Sequence, residues 1–176
     1  MKKAALIIAS REFRDEEYFI TKEILKNNGI SVKTVSDQTK AIGRFGGEAE
    51  ADILISDLKV DDFDAIVFIG GNGAVVLLDN ELSYKLIRET LSKRKLLAAI
   101  CIAPTILAKA GVLENREATV WSNSMDKSAV KILMANGAVY QQKPVIKDGN
   151  IITGENHEAA REFGETIVLE LTKAPK

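Results

Sequence analysis

Short, continuously apolar runs alternate along the chain with segments whose apolar residues recur at helical spacing. The first run, residues 3–9, is followed by residues 16–28, in which Ile20 and Ile24 share one helical face. This order is typical of a strand followed by a helix, and Gly29 comes where helices commonly end. The same alternation recurs further along the chain, which predicts repeated strand–helix units.

The remaining runs predict the other elements. Strands are predicted at residues 30–35, 64–71, 96–100 and 118–121, and helices at 80–93, 103–110, 125–135 and 157–171. Residues 43–57, turning at Gly46-Gly47, and a segment around Asp148-Gly149 are predicted to form hairpins. Strands that are apolar on both faces and alternate with helices indicate an α/β fold, with a parallel sheet between helical layers. Because no repeat or linker interrupts the pattern, residues 1–176 are predicted to form one domain.

Composition narrows the functional classes. The chain has 176 residues, of which 46% are hydrophobic, and a formal net charge of -1 with acids and bases interspersed. This charge offers no broad basic surface for nucleic acid. No apolar run approaches the roughly 20 residues of a membrane span, and the first run lacks a signal-peptide cleavage site. The single cysteine suits a reducing compartment. We therefore predict a cytoplasmic protein without nucleic-acid or membrane partners.

Candidate chemistry follows three predicted strands, because ligands of parallel sheets bind beyond the carboxyl ends of the strands. These strands lead into residues 10–17, residues 70–73 and residues 101–104. Pro104 suits a first helical turn, so Cys101 would face the positive end of a helix dipole, which would lower its pKa. The alternative is an inert core thiol, because free cysteine is among the most buried residue types.

Several motifs, in this order and spacing, resemble the ThiJ/PfpI superfamily. They are EE at the first helix, FIGGNG after the third strand, AAICIAP around Cys101, AGVLENREAT after the next helix and VIKDGNIITG near the end. This superfamily includes deglycase-like and intracellular protease-like proteins and belongs to the class I glutamine amidotransferase-like group. The resemblance implies a three-layer sandwich with a mostly parallel, flavodoxin-like central sheet and a nucleophile elbow.

The resemblance also implies roles for individual residues. Cys101 becomes the elbow nucleophile, and Glu17 becomes the carboxyl that is protonated and hydrogen-bonds the cysteine in relatives. A carboxyl in a partly apolar pocket beside another negative charge has a raised pKa, which fits this role. The alternative for the acidic cluster is that Glu16 and Glu17 complement the helix dipole after an Asp15 cap. The backbone N–H groups of Gly71 and Ile102 would form an oxyanion site, and the implied pocket-lining residues are Gly70, Asn72 and Trp121.

The sequence departs from the protease-like relatives at the positions that complete their triad. Ile102 stands where they carry a histidine after the cysteine, and Val75 stands where they carry a glutamate. Trp121 occupies the position of a histidine found in other relatives. The only histidine is His157, so a Cys–His mechanism would have to use it. The alternative for His157 is an exposed residue at a helix start.

Two functional classes remain open from the sequence. The first is a glyoxalase- or deglycase-like enzyme in which Cys101 adds to small reactive carbonyl compounds or their adducts on proteins. The second is a stress-response redox sensor or chaperone that uses an oxidisable Cys101. Peptidase or amidase activity is disfavoured by the incomplete triad. Neither class requires a metal or cofactor, and the resemblance implies a homodimer or higher homo-oligomer.

Overall fold

The structure is a computed structural model that describes residues 1–174; residues 175 and 176 of the predicted domain lie outside the described part. Its strands are β1 (Lys3–Ile8), β2 (Arg11–Phe13), β3 (Ser31–Ser36), β4 (Lys40–Gly43), β5 (Glu48–Glu50), β6 (Ile53–Leu54), β7 (Ala65–Phe68), β8 (Leu96–Ile100), β9 (Glu117–Ala118), β10 (Val139–Tyr140), β11 (Val145–Asp148) and β12 (Ile151–Gly154). Its α-helices are α1 (Asp15–Asn27), α2 (Glu81–Ser92), α3 (Pro104–Lys109), α4 (Ser128–Ala135) and α5 (Ala160–Thr172).

A seven-stranded sheet forms the centre, in the order β11-β12-β8-β7-β1-β3-β6. All neighbouring strands are parallel except β11, which pairs antiparallel with β12 at one edge. The chain leaves β1 towards β3 on one side and later returns to β7 on the other side. The carboxyl ends of β1 and β7 therefore flank the switch point where α/β sheets bind ligands.

Helices cover both faces of the sheet, which confirms the predicted three-layer α/β sandwich. Along β1, Leu6 and Ile8 join the core under α1 and α5, whereas Ala5 and Ile7 join the core under α2, α3 and α4. Both sets are fully buried. This two-sided burial explains why the central strands are continuously apolar in sequence.

Two predicted elements differ from the structure. The predicted hairpin forms between β4 and β5, but Ile53 leaves it and pairs with Val35 at the edge of the central sheet. Residues 118–121 were predicted as a strand, and only β9 forms, pairing with β10 in a separate sheet. The backbone beyond it bonds elsewhere, because Thr119 N–H donates to Thr153 Oγ1 (3.0 Å) and Trp121 N–H to Cys101 O (2.9 Å).

The described residues contain no helix that is long and apolar enough to cross a membrane.

Gly73 lies immediately before a π-helical turn, Ala74–Leu78, and against the backbone of β2. A Cβ at Gly73 would overlap the Arg11 carbonyl oxygen, whereas a Cβ at Gly29 would meet nothing within 4 Å. Gly29 has a φ of 76°, so alanine there would meet only backbone strain.

We expect Gly73→Ala to lower the free energy of unfolding by about 3 kcal/mol, because backbone cannot move aside cheaply. Gly29→Ala, the matched control, should cost about 1 kcal/mol. Urea unfolding of both variants measures the difference. Equal losses would contradict the close approach of β2 to Gly73.

Candidate active site

Cys101 lies directly after β8 in a sharp turn that leads into α3. Its φ is 63°, in the left-handed region that residues other than glycine rarely adopt. Hydrogen bonds hold the turn on both sides: Cys101 N–H donates to Gly154 O (2.9 Å), and Trp121 N–H donates to Cys101 O (2.9 Å). Pro104 is the first residue of α3, as predicted. The side chain of Cys101 remains partly accessible, so this geometry is that of a nucleophile elbow.

Glu17 lies in the first turn of α1 and is completely buried. Its Oε2 accepts a hydrogen bond from Gly70 N–H at 2.9 Å. A Cβ at Gly70 would lie 2.7 Å from Cys101 Cβ and 2.8 Å from Glu17 Oε2. The absence of a side chain at Gly70 therefore allows the carboxyl and the thiol to meet.

Burial controls the acidity of both groups. It raises the pKa of Glu17 to about 7, against the opposing effects of hydrogen bonds with Cys101 and Gly70. It also raises the pKa of Cys101 well above its ordinary value, and the charge and hydrogen bond of Glu17 add to that rise. The prediction that the helix dipole lowers this pKa is therefore wrong beside an ionised Glu17. Ile102 N–H and Arg14 oppose the rise without cancelling it.

The two acids interact strongly enough that they titrate as a pair. Of the two Glu17 oxygens, Oε1 has no hydrogen-bonding partner of good geometry among residues 1–174. A buried carboxylate needs donors to both oxygens, whereas a carboxylic acid can itself donate a proton to a neighbouring acceptor. We infer that, after its first ionisation, the pair keeps one proton between the Glu17 carboxyl and the Cys101 sulfur.

Two backbone N–H groups at the cavity around Cys101, those of Ile102 and Gly71, have no competing oxygen acceptor within residues 1–174. Ile102 N–H hydrogen-bonds the Cys101 sulfur, and within residues 1–174 neither it nor Gly71 N–H donates to a backbone or side-chain oxygen. Gly71 has a φ of 106°, and a Cβ there would lie 2.6 Å from Arg14 N. The positive φ and this close approach require glycine. Such paired donors are suited to stabilising an oxyanion beside the nucleophile.

An open cavity of about 480 Å³ surrounds the thiol. The cavity is lined by five residues predicted from the sequence: Cys101, Gly71, Ile102, Asn72 and Trp121. Gly70 does not line it but donates its N–H to Glu17. The other lining residues are Arg14, Arg44, Val75, Asp126, Ser128 and Ile132.

His157 is not among the residues that line this cavity. It is half-buried at the start of a short 3-10 turn, His157–Ala159. The pKa of Glu16 is lowered first by a hydrogen bond from Arg14 and to a smaller extent by His157. The catalytic role predicted for His157 therefore has no support from the cavity geometry and stays a prediction.

The sequence interpretation of Asp15 is corrected by the structure. The N-cap of α1 is Arg14, and Asp15 does not cap the helix with its side chain. Its carboxylate accepts hydrogen bonds from Phe45 N–H (2.9 Å) and Gly47 N–H (2.8 Å) in the loop between β4 and β5. Asp15 thus fixes this loop against the start of α1, which places Arg44 at the cavity.

No group of three or more histidine, cysteine or carboxylate side chains in the described part of the chain is arranged to hold a metal ion.

Comparison with known proteins identifies relatives of this chain by sequence and by fold. The profile of the DJ-1/PfpI family matches residues 2–170. An uncharacterised protein of Methanocaldococcus jannaschii is 36% identical over 97% of this chain and 83% of its own length. Deglycase PfpI of Pyrococcus furiosus is 29% identical over 90% and 95%. The crystal structure of a ThiJ/PfpI domain protein from Brachyspira murdochii superposes with a TM-score of 0.90 at 28% identity, covering 98% of both chains.

Alkylation of Cys101 with iodoacetamide across pH tests which group carries the shared proton. Wild type should react with an apparent pKa above that of a free cysteine, because burial and the charge of Glu17 both raise the pKa of the thiol. Glu17→Gln should lower this apparent pKa, because the charge and hydrogen bond of Glu17 that raise it are removed. A higher pKa in Glu17→Gln would instead mean that Glu17 stays protonated and donates a hydrogen bond to the thiolate.

The same carboxyl predicts a pH-dependent stability. In the folded protein the pKa of Glu17 is about 7, against 4.5 as the ordinary value. The unfolded chain therefore releases this proton first, and stability falls as pH rises from 4.5 to 7, by about 3 kcal/mol in total. In Glu17→Gln, the free energy of unfolding should lack this part of the pH dependence. Urea unfolding of both proteins at pH 5 and pH 8 measures it, and parallel declines would contradict the raised pKa.

Proposed function

Because the chain belongs to the DJ-1/PfpI family, we propose that it acts through Cys101 on small reactive carbonyl compounds or their early adducts on proteins. The observation that carries this proposal is the buried Cys101–Glu17 pair, which keeps one proton beside the nucleophile at neutral pH. The name of the Pyrococcus furiosus relative, a deglycase, agrees with this class of reaction. The site residues in this proposal are Cys101, Glu17 and the backbone of Gly71 and Ile102.

The proposed reaction on a 2-oxoaldehyde begins with attack of the Cys101 thiolate on the aldehyde carbon. The new oxyanion accepts hydrogen bonds from Gly71 and Ile102 N–H and then takes the proton of Glu17, giving a hemithioacetal. Glu17, now ionised, removes the proton from the former aldehyde carbon, and the hydroxyl proton on that carbon moves to the oxygen of the adjacent carbon by way of an enediol. Glu17 then delivers its proton to the adjacent carbon. One carbon is oxidised and its neighbour is reduced, so no external oxidant is needed. Water hydrolyses the resulting thioester to a 2-hydroxy acid and returns the thiol.

The wall of the cavity supports this chemistry over peptide hydrolysis. Val75, Ile102 and Trp121, at the positions where relatives carry triad residues, all line the cavity. None of their side chains can accept a proton from the thiol, so none of these positions replaces Glu17, the carboxyl beside the thiol, in proton transfer. Addition to an aldehyde needs only one group that transfers protons, the role proposed for Glu17. Expulsion of an amine from a peptide would need a further acid near the leaving group.

A second candidate function, redox sensing, is favoured by the same donors. If peroxide oxidised the thiolate to a sulfinate, Ile102 N–H and a protonated Glu17 would hydrogen-bond the new oxygens. This role requires the low first ionisation of the pair but no turnover. A cytoplasmic location, independence from cofactors and a homo-oligomeric state stay predictions.

Conversion of methylglyoxal to lactate tests the enzymatic proposal. Cys101→Ser should abolish lactate formation, and Glu17→Gln should lower kcat by about 100-fold, because general acid–base catalysis is removed. His157→Ala, with the only histidine replaced outside the cavity, should retain activity within about twofold. Lactate formation is followed enzymatically, and thiol content is measured in parallel.

The outcomes separate the two candidate functions. Lactate formation that persists in Cys101→Ser would refute the proposed nucleophile. An alkylation-competent thiol that produces no lactate, but is oxidised stoichiometrically by peroxide, would favour the sensor. Loss of activity in His157→Ala would restore the histidine mechanism.

A further inference from the structure

Three charged side chains line the cavity around Cys101, and two of them are already engaged. Arg14 is held by Glu16, with Nε–Oε2 at 2.7 Å and Nη2–Oε1 at 3.3 Å. Asp126 accepts hydrogen bonds from Ser128 N–H (2.9 Å) and Ser128 Oγ–H (2.6 Å). Arg44 has no ion-pair partner in the described part of the chain, and it forms no bridge to Asp126 although both line the cavity. Its charge is therefore available to a ligand.

Several hydrogen bonds fix the loop that carries Arg44. Arg44 N–H donates to Phe13 O (2.9 Å), and Gly43 N–H donates to Gly47 O (2.7 Å). Asp15 accepts from two further N–H groups of the same loop. A Cβ at Gly43 or Gly47 would lie 2.5 Å from Asp15 Oδ1, so the loop encloses this carboxylate closely. The backbone at Arg44 is consequently held in place beside the cavity.

The loop also brings two cations to one aromatic ring. The Arg14 guanidinium lies 4.8 Å from the centre of the Phe45 ring and that of Arg44 lies 5.8 Å from it. Two neighbouring guanidinium groups repel each other, and Glu16 neutralises only one of them. A bound anion would remove the remaining repulsion and would accept the paired N–H donors that guanidinium presents.

We propose that Arg44 binds an oxyanion, a carboxylate or a phosphate, carried by the carbonyl substrate at the end remote from the carbon that Cys101 attacks. This inference rests on the proposed function and narrows its substrate class to anionic 2-oxoaldehydes. The anionic group takes no part in bond making. It orients the substrate and raises its concentration at the thiol.

The first test does not depend on turnover. Iodoacetate and iodoacetamide alkylate the same thiolate, but only iodoacetate is anionic, so the ratio of their rates is independent of the ionised fraction of Cys101. Arg44→Gln should lower the iodoacetate-to-iodoacetamide ratio by about fivefold at low ionic strength. The ratio of wild type should fall towards that of the variant as salt is added.

Arg161→Gln is the matched control, because Arg161 is exposed on α5 and does not line the cavity. It should leave the ratio unchanged. An unchanged ratio in Arg44→Gln would overturn the proposed anion site, and so would an equal fall in both variants.

The second test identifies the anion. Wild type, Arg44→Gln and Arg161→Gln are assayed with methylglyoxal, with 4,5-dioxovalerate, which carries a carboxylate, and with the 2-oxoaldehyde 3-phosphooxy-2-oxopropanal, which carries a phosphate. Arg44→Gln should raise KM about fivefold for the preferred anionic substrate, with kcat little changed, and leave methylglyoxal unaffected. The substrate with the larger KM effect identifies the group as carboxylate or phosphate, and a KM effect equal for all three would overturn the proposal.

The two tests distinguish failure of this inference from failure of the proposed function. If Arg44 controls the alkylation ratio but no 2-oxoaldehyde is converted, the anion site stands and the carbonyl chemistry falls. If methylglyoxal is converted but Arg44→Gln changes neither ratio nor KM, the chemistry stands and the anion site falls.

Discussion

The contact between the Glu17 carboxyl and the Cys101 sulfur is the interaction on which the rest of the site depends. A carboxyl with no exposed surface cannot ionise freely, because no water compensates its charge. The neighbouring sulfur can take that charge instead, since Ile102 N–H and Arg14 both favour the thiolate. Burial raises the pKa of each group, but the two groups together can still release one proton and share the resulting charge.

This contact imposes requirements on distant parts of the chain. Gly70 must lack a side chain for the two groups to meet, and Gly71 must be glycine because its φ is positive and a Cβ there would lie 2.6 Å from Arg14 N. The strands β1, β7 and β8 are adjacent in the central sheet, so the three loops that follow them lie at one place, beyond the carboxyl ends of the strands. Asp15 then ties a fourth loop to the same end of α1. The Cys101–Glu17 contact and the position of this loop thus depend on the same helix start.

The sequence was sufficient to predict the order of strands and helices, because two-sided burial makes β1, β7 and β8 continuously apolar. It also predicted Cys101 and Glu17 as neighbours, through their motifs. It could not predict Arg44, since the position of that side chain depends on hydrogen bonds between Asp15 and a loop thirty residues later. The acidity of Cys101 was equally inaccessible, because burial opposes the dipole of α3 and only coordinates show how complete that burial is. The strand predicted at residues 118–121 is wrong beyond Ala118 for a similar reason. Trp121 is apolar, but its N–H donates to Cys101 O and not to a neighbouring strand.

The left-handed backbone of Cys101 has an evolutionary consequence. Glycine and asparagine adopt this conformation with less strain than cysteine does. A population selected for thermal stability alone would therefore drift away from cysteine at position 101, and the replacements would fold well while losing the thiol. Libraries of this protein that are selected for stability would therefore contain few variants with cysteine at position 101. The left-handed cysteine thus carries a folding cost that glycine at the same position would not.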